Sequence, residues 1–177
     1  AVSFTSLDLS NNRLSGPLPP ELCELVQLNY LNLQNNRFSG SLPAEIGKMT
    51  GLTLLDLTSN RFSGPLPEGI GRLIHLRSLL LSENEFSGEL PETLGNLINL
   101  KNFYVKTNRL SGPFPVVLTK LVKLEYLNLS FNNFSGTIPA EIGNWEELKH
   151  LYLWKNQFSG SIPPSIGKLR NLTELSL

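Results

Sequence analysis

The stretch LNLQNNRFSGSLPAEIGKMTGLTL, residues 31–54, decides the fold, because its pattern recurs along the chain with a period of 24 residues. The most regular member is an asparagine found at the same place in each copy: Asn12, Asn36, Asn60, Asn84, Asn108, Asn132 and Asn156. Copies start at residues 7, 31, 55, 79, 103, 127 and 151, and a partial eighth starts at 175. Self-similarity without insertions over nearly the whole chain predicts a repeat architecture.

Each copy contains the same order of structural signals. The opening L-x-L, as in Leu31-Asn32-Leu33, alternates apolar and polar residues with the period of a short half-buried strand. A Ser-Gly step after the repeated asparagine permits a turn, and a proline three residues later fixes φ and prevents a regular helix. Apolar residues then recur at spacings of three or four, as in Ile46, Met49 and Leu52, which predicts a 3-10 or irregular turn.

A single copy has only one apolar side, so it cannot fold alone. Stacking neighbouring copies buries these sides in one continuous core and aligns the L-x-L segments into a parallel sheet with right-handed crossovers. The repeated asparagine is predicted to point inward, where its amide can satisfy backbone groups left unpaired at each corner. We therefore predict one domain over residues 1–177, built from seven stacked 24-residue repeats.

The overall composition excludes several classes of function. The chain has 15 Lys and Arg against 15 Asp and Glu, which argues against binding to nucleic acid or to an anionic membrane. No apolar run approaches the roughly 20 residues that span a bilayer, so we expect no direct membrane insertion. One cysteine and two histidines provide few groups for a metal site or a nucleophile–base pair. We predict neither a cofactor nor an enzymatic activity.

The repeat resembles a known family, most clearly in LKHLYLWKNQFSGSIPPSIG, residues 148–167. It is similar almost letter for letter to the plant extracellular subtype of the leucine-rich repeat, L-x-x-L-x-x-L-x-L-x-x-N-x-L/F-S-G-x-I/L-P-x-x-I/L-G. The resemblance implies an α/β solenoid, a right-handed superhelix with a parallel concave β-sheet, short 3-10 or irregular helices on the convex side, and extra strand-like segments near S-G-x-I-P.

The resemblance also implies a function in recognition. The family includes ectodomains of receptor-like kinases and receptor-like proteins, and secreted polygalacturonase-inhibiting proteins. We interpret this chain, which lacks the family's cysteine-paired cap, as an internal piece of an extracellular or cell-surface receptor ectodomain. It would bind a peptide, a small signal or a protein on its concave face, with a possible co-receptor. The alternatives are a secreted inhibitor of a cell-wall-degrading enzyme and a passive interaction scaffold.

Alternation along the strands predicts which side chains occupy the concave face. Residues flanking the two leucines of L-x-L point away from the core, and the aromatic ones cluster in the last three complete copies. Together with one lysine they form the predicted ligand site: Tyr104, Lys106, Tyr126, His150, Tyr152 and Trp154. Rigid rings with polar tips beside a cation are typical of binding hot spots. The alternative is that strand positions favour aromatic residues in any case.

A secondary basic column directly follows the repeated asparagine. Its cations are Arg13, Arg37, Arg61 and Arg109, with Glu85 in the fourth copy. Three adjacent arginines at about strand spacing are expected to repel one another. The pattern favours either an acidic ligand group or, as the simpler interpretation, solvated side chains paired with nearby glutamates.

Three N-x-S/T sequons predict glycosylation at Asn128, Asn133 and Asn171. The repeat itself supplies the serine of the first two, so Asn171, outside that frame, is the strongest candidate. Cys23 takes a slot that is glycine in five other copies. We predict a small, partly buried thiol there, with a disulfide to a segment outside this chain as the alternative.

Overall fold

Each copy of the repeat forms one coil of a solenoid in the computed structural model, which describes residues 3–177. The L-x-L segments build a parallel main sheet of eight strands that follow one another in chain order. These strands are β1 (Ser6–Asp8), β3 (Tyr30–Asn32), β5 (Leu54–Asp56), β7 (Ser78–Leu80), β9 (Asn102–Tyr104), β11 (Tyr126–Asn128), β13 (His150–Tyr152) and β15 (Glu174–Ser176). The predicted solenoid is confirmed.

A second parallel sheet of seven strands lies at the Ser-Gly step of the coils, where the extra strand-like segments were expected. Its strands are β2 (Ser15–Pro17), β4 (Arg37–Ser41), β6 (Arg61–Gly64), β8 (Glu85–Gly88), β10 (Arg109–Pro113), β12 (Asn133–Thr137) and β14 (Gln157–Ser159). Each coil is completed by a 3-10 helix that begins directly after the repeated proline. The helices are Pro20–Glu24, Ala44–Lys48, Glu68–Arg72, Glu92–Asn96, Val116–Lys120, Ala140–Asn144 and Pro164–Lys168.

The register of the main sheet equals the period of the sequence, so identical positions stack on one another. Leu31 lies opposite Leu55, which lies opposite Leu79. All three are fully buried, because the first leucine of each strand points into the core that the coils share. The side chains between the leucines point the other way, to the side that we call the concave face.

Aromatic side chains fill the core beneath the second sheet. Phe38, Phe62 and Phe86 stack in adjacent coils with ring centroids 6.0 Å apart. The buried Trp145 takes the core position that Met49 holds in the second coil, and its indole Nε1 donates a 2.9 Å hydrogen bond to the Leu118 carbonyl. A buried indole needs such a partner to offset the loss of water.

The repeated asparagine points inward and links neighbouring coils, as predicted. Asn84 Nδ2 donates to the carbonyl of Leu57 in the preceding coil at 2.9 Å and to that of Leu81 in its own coil at 3.2 Å. Its Oδ1 accepts a 3.0 Å hydrogen bond from the Phe62 amide. The corner of each coil therefore leaves its backbone groups satisfied although they are buried.

A left-handed residue directly precedes the repeated asparagine in every coil, a feature that the sequence pattern did not reveal. These residues have φ between 55 and 58° and are Asn11, Asn35, Ser59, Glu83, Thr107, Phe131 and Lys155. Only the first two are of a type that tolerates this conformation well. The turn therefore depends on the coil frame more than on local sequence preference.

Some predicted exposures are wrong. Asn32 and Asp56, expected to be exposed on the concave face, are buried, and each side chain accepts a hydrogen bond from the backbone amide two residues later, at 2.9 Å. Ser130 is fully buried and its hydroxyl donates to Asn128 Oδ1. Cys23 is a fully buried free thiol, not a partly buried one. Burial, and next the nearby Glu45 carboxylate, raise its pKa to about 11.

Candidate functional site

Three of the predicted ligand-binding residues meet on strands β11 and β13 of the concave face. The ring edges of Tyr126 and His150 meet at 4.8 Å between centroids, and those of His150 and Tyr152 at 5.9 Å. The strand register fixes these contacts, since Tyr126 lies directly opposite His150. All three side chains are half-buried, so they form a rigid wall that still has surface to offer a ligand.

A carboxylate completes this group. Glu174, on strand β15, accepts a hydrogen bond from the Tyr152 hydroxyl, and its Oε1 lies 3.9 Å from His150 Nε2. The hydrogen bond to the carboxylate, with burial and the carboxylate's charge, raises the pKa of Tyr152 to about 12. The Tyr152 hydroxyl therefore keeps its proton at physiological pH and acts as a hydrogen-bond donor. We call Tyr126, His150, Tyr152 and Glu174 the tyrosine cluster.

The sequence prediction missed Glu174, and a signal for it was available. Glu174 follows His150 by one period and so belongs to the same outward-facing column as Tyr126 and His150. The prediction stopped at the last complete copy, because the eighth copy is only partial. Extending the column by 24 residues would have found the carboxylate.

A second group lies where the strands of the main sheet end. The rings of Phe131 and Trp154 meet edge to face at 4.6 Å, and Lys106 Nζ lies 5.7 Å above the centre of the Phe131 ring. Trp154 is 40% exposed, so part of its indole ring is open to solvent. We call Lys106, Phe131 and Trp154 the tryptophan corner. Phe131 holds a φ of 55°, a strained conformation for a bulky residue.

The structure therefore divides the predicted site into two neighbouring groups. Tyr126, His150 and Tyr152 belong to the first, and Lys106 and Trp154 to the second. Tyr104 makes no ring–ring contact among residues 3–177; it is half-buried on strand β9, where it lies opposite Asn128. Burial and then the neighbouring Tyr126 raise the pKa of Tyr104.

One further lysine borders the tyrosine cluster. Lys149 Nζ lies 5.8 Å above the Tyr126 ring and 3.2 Å from Glu125 Oε2, and the carboxylate raises the pKa of this lysine. Lys106 in the tryptophan corner, by contrast, has no carboxylate within 4.0 Å among the described residues. Lys106 is therefore available to form an ion pair with a ligand.

The basic column lies along the second sheet, and its geometry differs from the expectation. Ser15 lies opposite Arg37, and Ser39 opposite Arg61, so successive arginines are offset by two residues along the strands. Their Cα atoms are consequently about 8 Å apart, wider than the strand spacing of about 4.8 Å. Arg109 pairs with Glu85 at 3.4 Å. The repulsion predicted between Arg13, Arg37 and Arg61 is thus reduced.

The predicted glycosylation sites differ in their surroundings. Asn133 and Asn171 are exposed, whereas Asn128 is half-buried on the concave face. Asn171 Nδ2 donates to the Glu146 carbonyl at 2.8 Å, and Asn133 Oδ1 accepts from Gln157 Nε2 at 3.2 Å. Glycosylation of the three sites stays a prediction.

Within residues 3–177, His, Cys, Asp and Glu side chains nowhere assemble in threes as a metal site would require. The helices in this part of the chain are too short to cross a bilayer.

Family models match most of the chain. A model described as "Leucine-rich repeat region" matches residues 6–111, and one described as "Leucine Rich Repeat" matches residues 123–145 and 147–169. No curated protein gives a significant match.

Solved structures of plant receptor ectodomains are similar to this chain. The leucine-rich-repeat ectodomain of the Arabidopsis receptor kinase HAESA, in complex with an N-terminally extended IDA peptide hormone, is 40% identical with a TM-score of 0.90; the match covers 97% of this chain and 29% of that one. The ectodomain of GASSHO1/SCHENGEN3 from Arabidopsis thaliana, in complex with CASPARIAN STRIP INTEGRITY FACTOR 2, is 35% identical with a TM-score of 0.85, covering 96% and 23%.

A further structure contains a co-receptor. It is HAESA with the peptide hormone IDA and the co-receptor SERK1, 36% identical with a TM-score of 0.78, covering 98% of this chain and 33% of HAESA. This chain therefore spans about a quarter to a third of the length of the ectodomains that it matches.

Proposed function

Because the chain belongs to the leucine-rich-repeat family, we propose that it is a recognition segment of an extracellular or cell-surface receptor ectodomain in a plant. Its ligand is a peptide or another small signal that lies on the concave face. A co-receptor completes the complex at the lateral edge of the solenoid. The proposed role is binding, and we assign no catalytic step to the chain.

One observation carries this proposal. The tyrosine cluster and the tryptophan corner place half-buried and exposed rings on a rigid sheet, at positions that the coil frame does not dictate. The frame positions, such as Leu31 and Leu55, are the same in nearly every coil, but the outward columns change from coil to coil. Rings that are already held in place lose little conformational freedom when a ligand covers them.

The similar ectodomains support the same role. HAESA was solved with the peptide hormone IDA, in one structure together with the co-receptor SERK1, and GASSHO1/SCHENGEN3 was solved with CASPARIAN STRIP INTEGRITY FACTOR 2. A passive scaffold would bury the outward rings between neighbouring coils or leave them small. Trp154, which is 40% exposed and in edge-to-face contact with Phe131, is more consistent with a surface that binds a partner.

The test uses linear peptides as probes. A random peptide library displayed on phage is selected against the immobilised chain, and the strongest binders are synthesised and titrated by calorimetry. We expect the double substitution Tyr152→Ala and Trp154→Ala to weaken the binding about tenfold or more, as loss of aromatic hot spots does. The matched control is Tyr30→Ala, which removes a ring from the same face in the second coil.

Circular dichroism of each variant establishes that the coils remain folded. Equal affinity of the double variant and the unsubstituted chain for every selected peptide would remove the concave face as the binding surface. If Tyr30→Ala weakens peptide binding and the double variant does not, the ligand binds at the first coils and not at the tyrosine cluster and tryptophan corner, which contradicts the proposal.

A further inference from the structure

A strip of one charge sign runs along the second sheet in the first three coils. It comprises residues 11–17, 35–41 and 59–65, which contain Arg13, Arg37 and Arg61 and no acidic residue. All three arginines are exposed, and among residues 3–177 none has a carboxylate within 4.0 Å. On a chain with zero net charge, this segregation leaves a local positive field. We call these three segments the basic strip.

The fourth coil ends the strip abruptly. Its corresponding segment, residues 83–89, has three glutamates, namely Glu83, Glu85 and Glu89. Glu85 pairs with Arg109 of the fifth coil at 3.4 Å and so neutralises the next cation. The basic strip therefore offers three positive charges, with a negative block at one end.

The backbone beneath the arginines is fixed. The Arg37 amide donates a 2.7 Å hydrogen bond to the Leu14 carbonyl, and Arg37 follows Asn36, which is held by its links to the coil of Leu9. Beside the arginines, Asn35 Nδ2 donates to Asn11 Oδ1 at 2.8 Å. The charges thus project from a rigid base. At the end of the strip next to the fourth coil, the Ser59 hydroxyl donates to Glu83 Oε2 at 2.7 Å, which marks where the basic strip meets the glutamates.

We propose that the basic strip binds an extended acidic peptide segment with carboxylates at alternate positions. Side chains at alternate positions of an extended chain lie on one side about 6.8 Å apart. The offset register separates successive arginines by about 8 Å, and guanidinium groups on long side chains can adjust to this difference. Three carboxylates of the peptide can each pair with one arginine. A fourth carboxylate would face the glutamates of residues 83–89 and be repelled. This surface lies on the second sheet, apart from the concave face.

The test compares peptides of equal charge but different spacing. The probes are acetylated, amidated GEGEGEG, GGEEEGG and GQGQGQG, titrated at low salt by NMR against the whole chain. We expect the alternating peptide to bind about threefold or more tightly than the contiguous one, and the glutamine peptide to show no binding. Binding should weaken as salt is added, because the contacts are exposed charge pairs.

Two charge-matched triple variants locate the contact. Substituting Arg13, Arg37 and Arg61 by Gln should weaken binding of GEGEGEG roughly tenfold, because it removes three exposed charge pairs, each of which contributes modestly. The control replaces three exposed arginines elsewhere, Arg72, Arg77 and Arg170, by Gln, and should leave the affinity within about twofold. The two triple variants have the same net charge, so a general field effect would weaken both equally.

Several results would overturn the proposal. They are equal affinity for the alternating and contiguous peptides, equal losses in the two triple variants, and tighter binding of trigalacturonate than of GEGEGEG. The last result would show that the strip takes an anionic sugar instead of a peptide. Melting curves of both variants exclude unfolding as the cause of any loss, because substitutions at exposed arginines should leave the stability nearly unchanged.

Discussion

Asn60 joins its coil to the preceding one through Leu33. Its Nδ2 donates a 2.9 Å hydrogen bond to the Leu33 carbonyl, and its Oδ1 accepts a 3.1 Å hydrogen bond from the Phe38 amide. Asn60 Nδ2 also donates to the Leu57 carbonyl in its own coil at 3.1 Å. One side chain thus satisfies three buried backbone groups from two coils.

Replacing Asn60 by Ala is therefore expected to lower the free energy of unfolding by about 3 kcal/mol or more. Each buried backbone group left without a partner costs about 1–3 kcal/mol. Urea unfolding followed by circular dichroism measures the change. Asn12→Ala is the matched control, because Asn12 is exposed and its amide donates only within its own coil, to Leu9 and Ser10. A similar loss in both variants would contradict the role assigned to the link between coils.

The glycine shared by most 3-10 helices gives a second prediction. A Cβ atom added to Gly47 would lie 2.7 Å from the Gly69 carbonyl oxygen of the next coil, which is too close for any real contact. We expect Gly47→Ala to lower the melting temperature by roughly 2–12 °C, because overpacking of this kind costs about 1–3 kcal/mol. Gly167→Ala is the control, because a Cβ there meets nothing within 4 Å. Equal melting temperatures for the two variants would show that the coils can move apart freely.

The left-handed residue of the fifth coil is a β-branched threonine, Thr107, with φ of 58°. Asn tolerates this region better, and the second coil has Asn35 at the same position. We expect Thr107→Asn to raise the free energy of unfolding by about 1 kcal/mol, measured by urea unfolding. The reverse substitution, Asn35→Thr, should lower it by at least as much, because it also removes the hydrogen bond to Asn11. A destabilised Thr107→Asn variant would refute this explanation.

The buried thiol of Cys23 should be inert in the folded chain. Its pKa is raised from 9.0 to about 11, mainly by burial. Iodoacetamide at pH 8 should therefore label the chain only after urea is added. Because the unfolded thiol loses its proton first, the contribution of Cys23 to stability is complete below pH 9 and is lost as the pH rises towards 11. Cys23→Ala should remove this part of the pH dependence; rapid labelling of the folded chain would exclude the burial described above.

The tyrosine cluster can be tested by titration. The Tyr152 pKa of about 12 rests first on the hydrogen bond to the Glu174 carboxylate. Glu174→Gln removes the negative charge that opposes ionisation, so the pKa of Tyr152 should fall towards its ordinary value of 10.0. Ultraviolet difference spectroscopy measures the ionisation, and Tyr152→Phe identifies its step. Glu147→Gln, which removes the charge of an exposed glutamate that is not among the groups raising the Tyr152 pKa, serves as the control and should leave the step in place.

The fold could be predicted from the sequence because the frame residues recur in nearly every copy. Asn60 and its equivalents, the L-x-L strands and the proline before each 3-10 helix are set by backbone requirements that recur in every coil. The left-handed residues could not be predicted, since Ser59, Glu83 and Phe131 share no chemical property. At these positions the neighbouring coils impose the conformation against local preference.

The candidate site was predictable only in part. Alternation placed Tyr126, His150 and Tyr152 on one face correctly, because strand geometry alone decides direction. Alternation could not predict that the Asp56 carboxylate accepts a hydrogen bond from the Thr58 amide, since a short carboxylate can be solvated or can bind a nearby backbone amide. Nor does strand alternation reveal the offset that separates Arg37 from Arg61 on the second sheet.

The links made by Asn36 reach the coil of Leu9 and its own coil, and this short range has a consequence for how such a molecule changes over time. A gene segment encoding one period can be duplicated or lost, and the joined coils still offer each other the partners they need. An insertion or deletion of any other length puts the following repeat out of register with its neighbour, and extra residues must then form a bulge on one side of the solenoid. The chain can therefore gain or lose whole 24-residue repeats and keep its fold, while the outward-facing residues of each repeat are free to diverge.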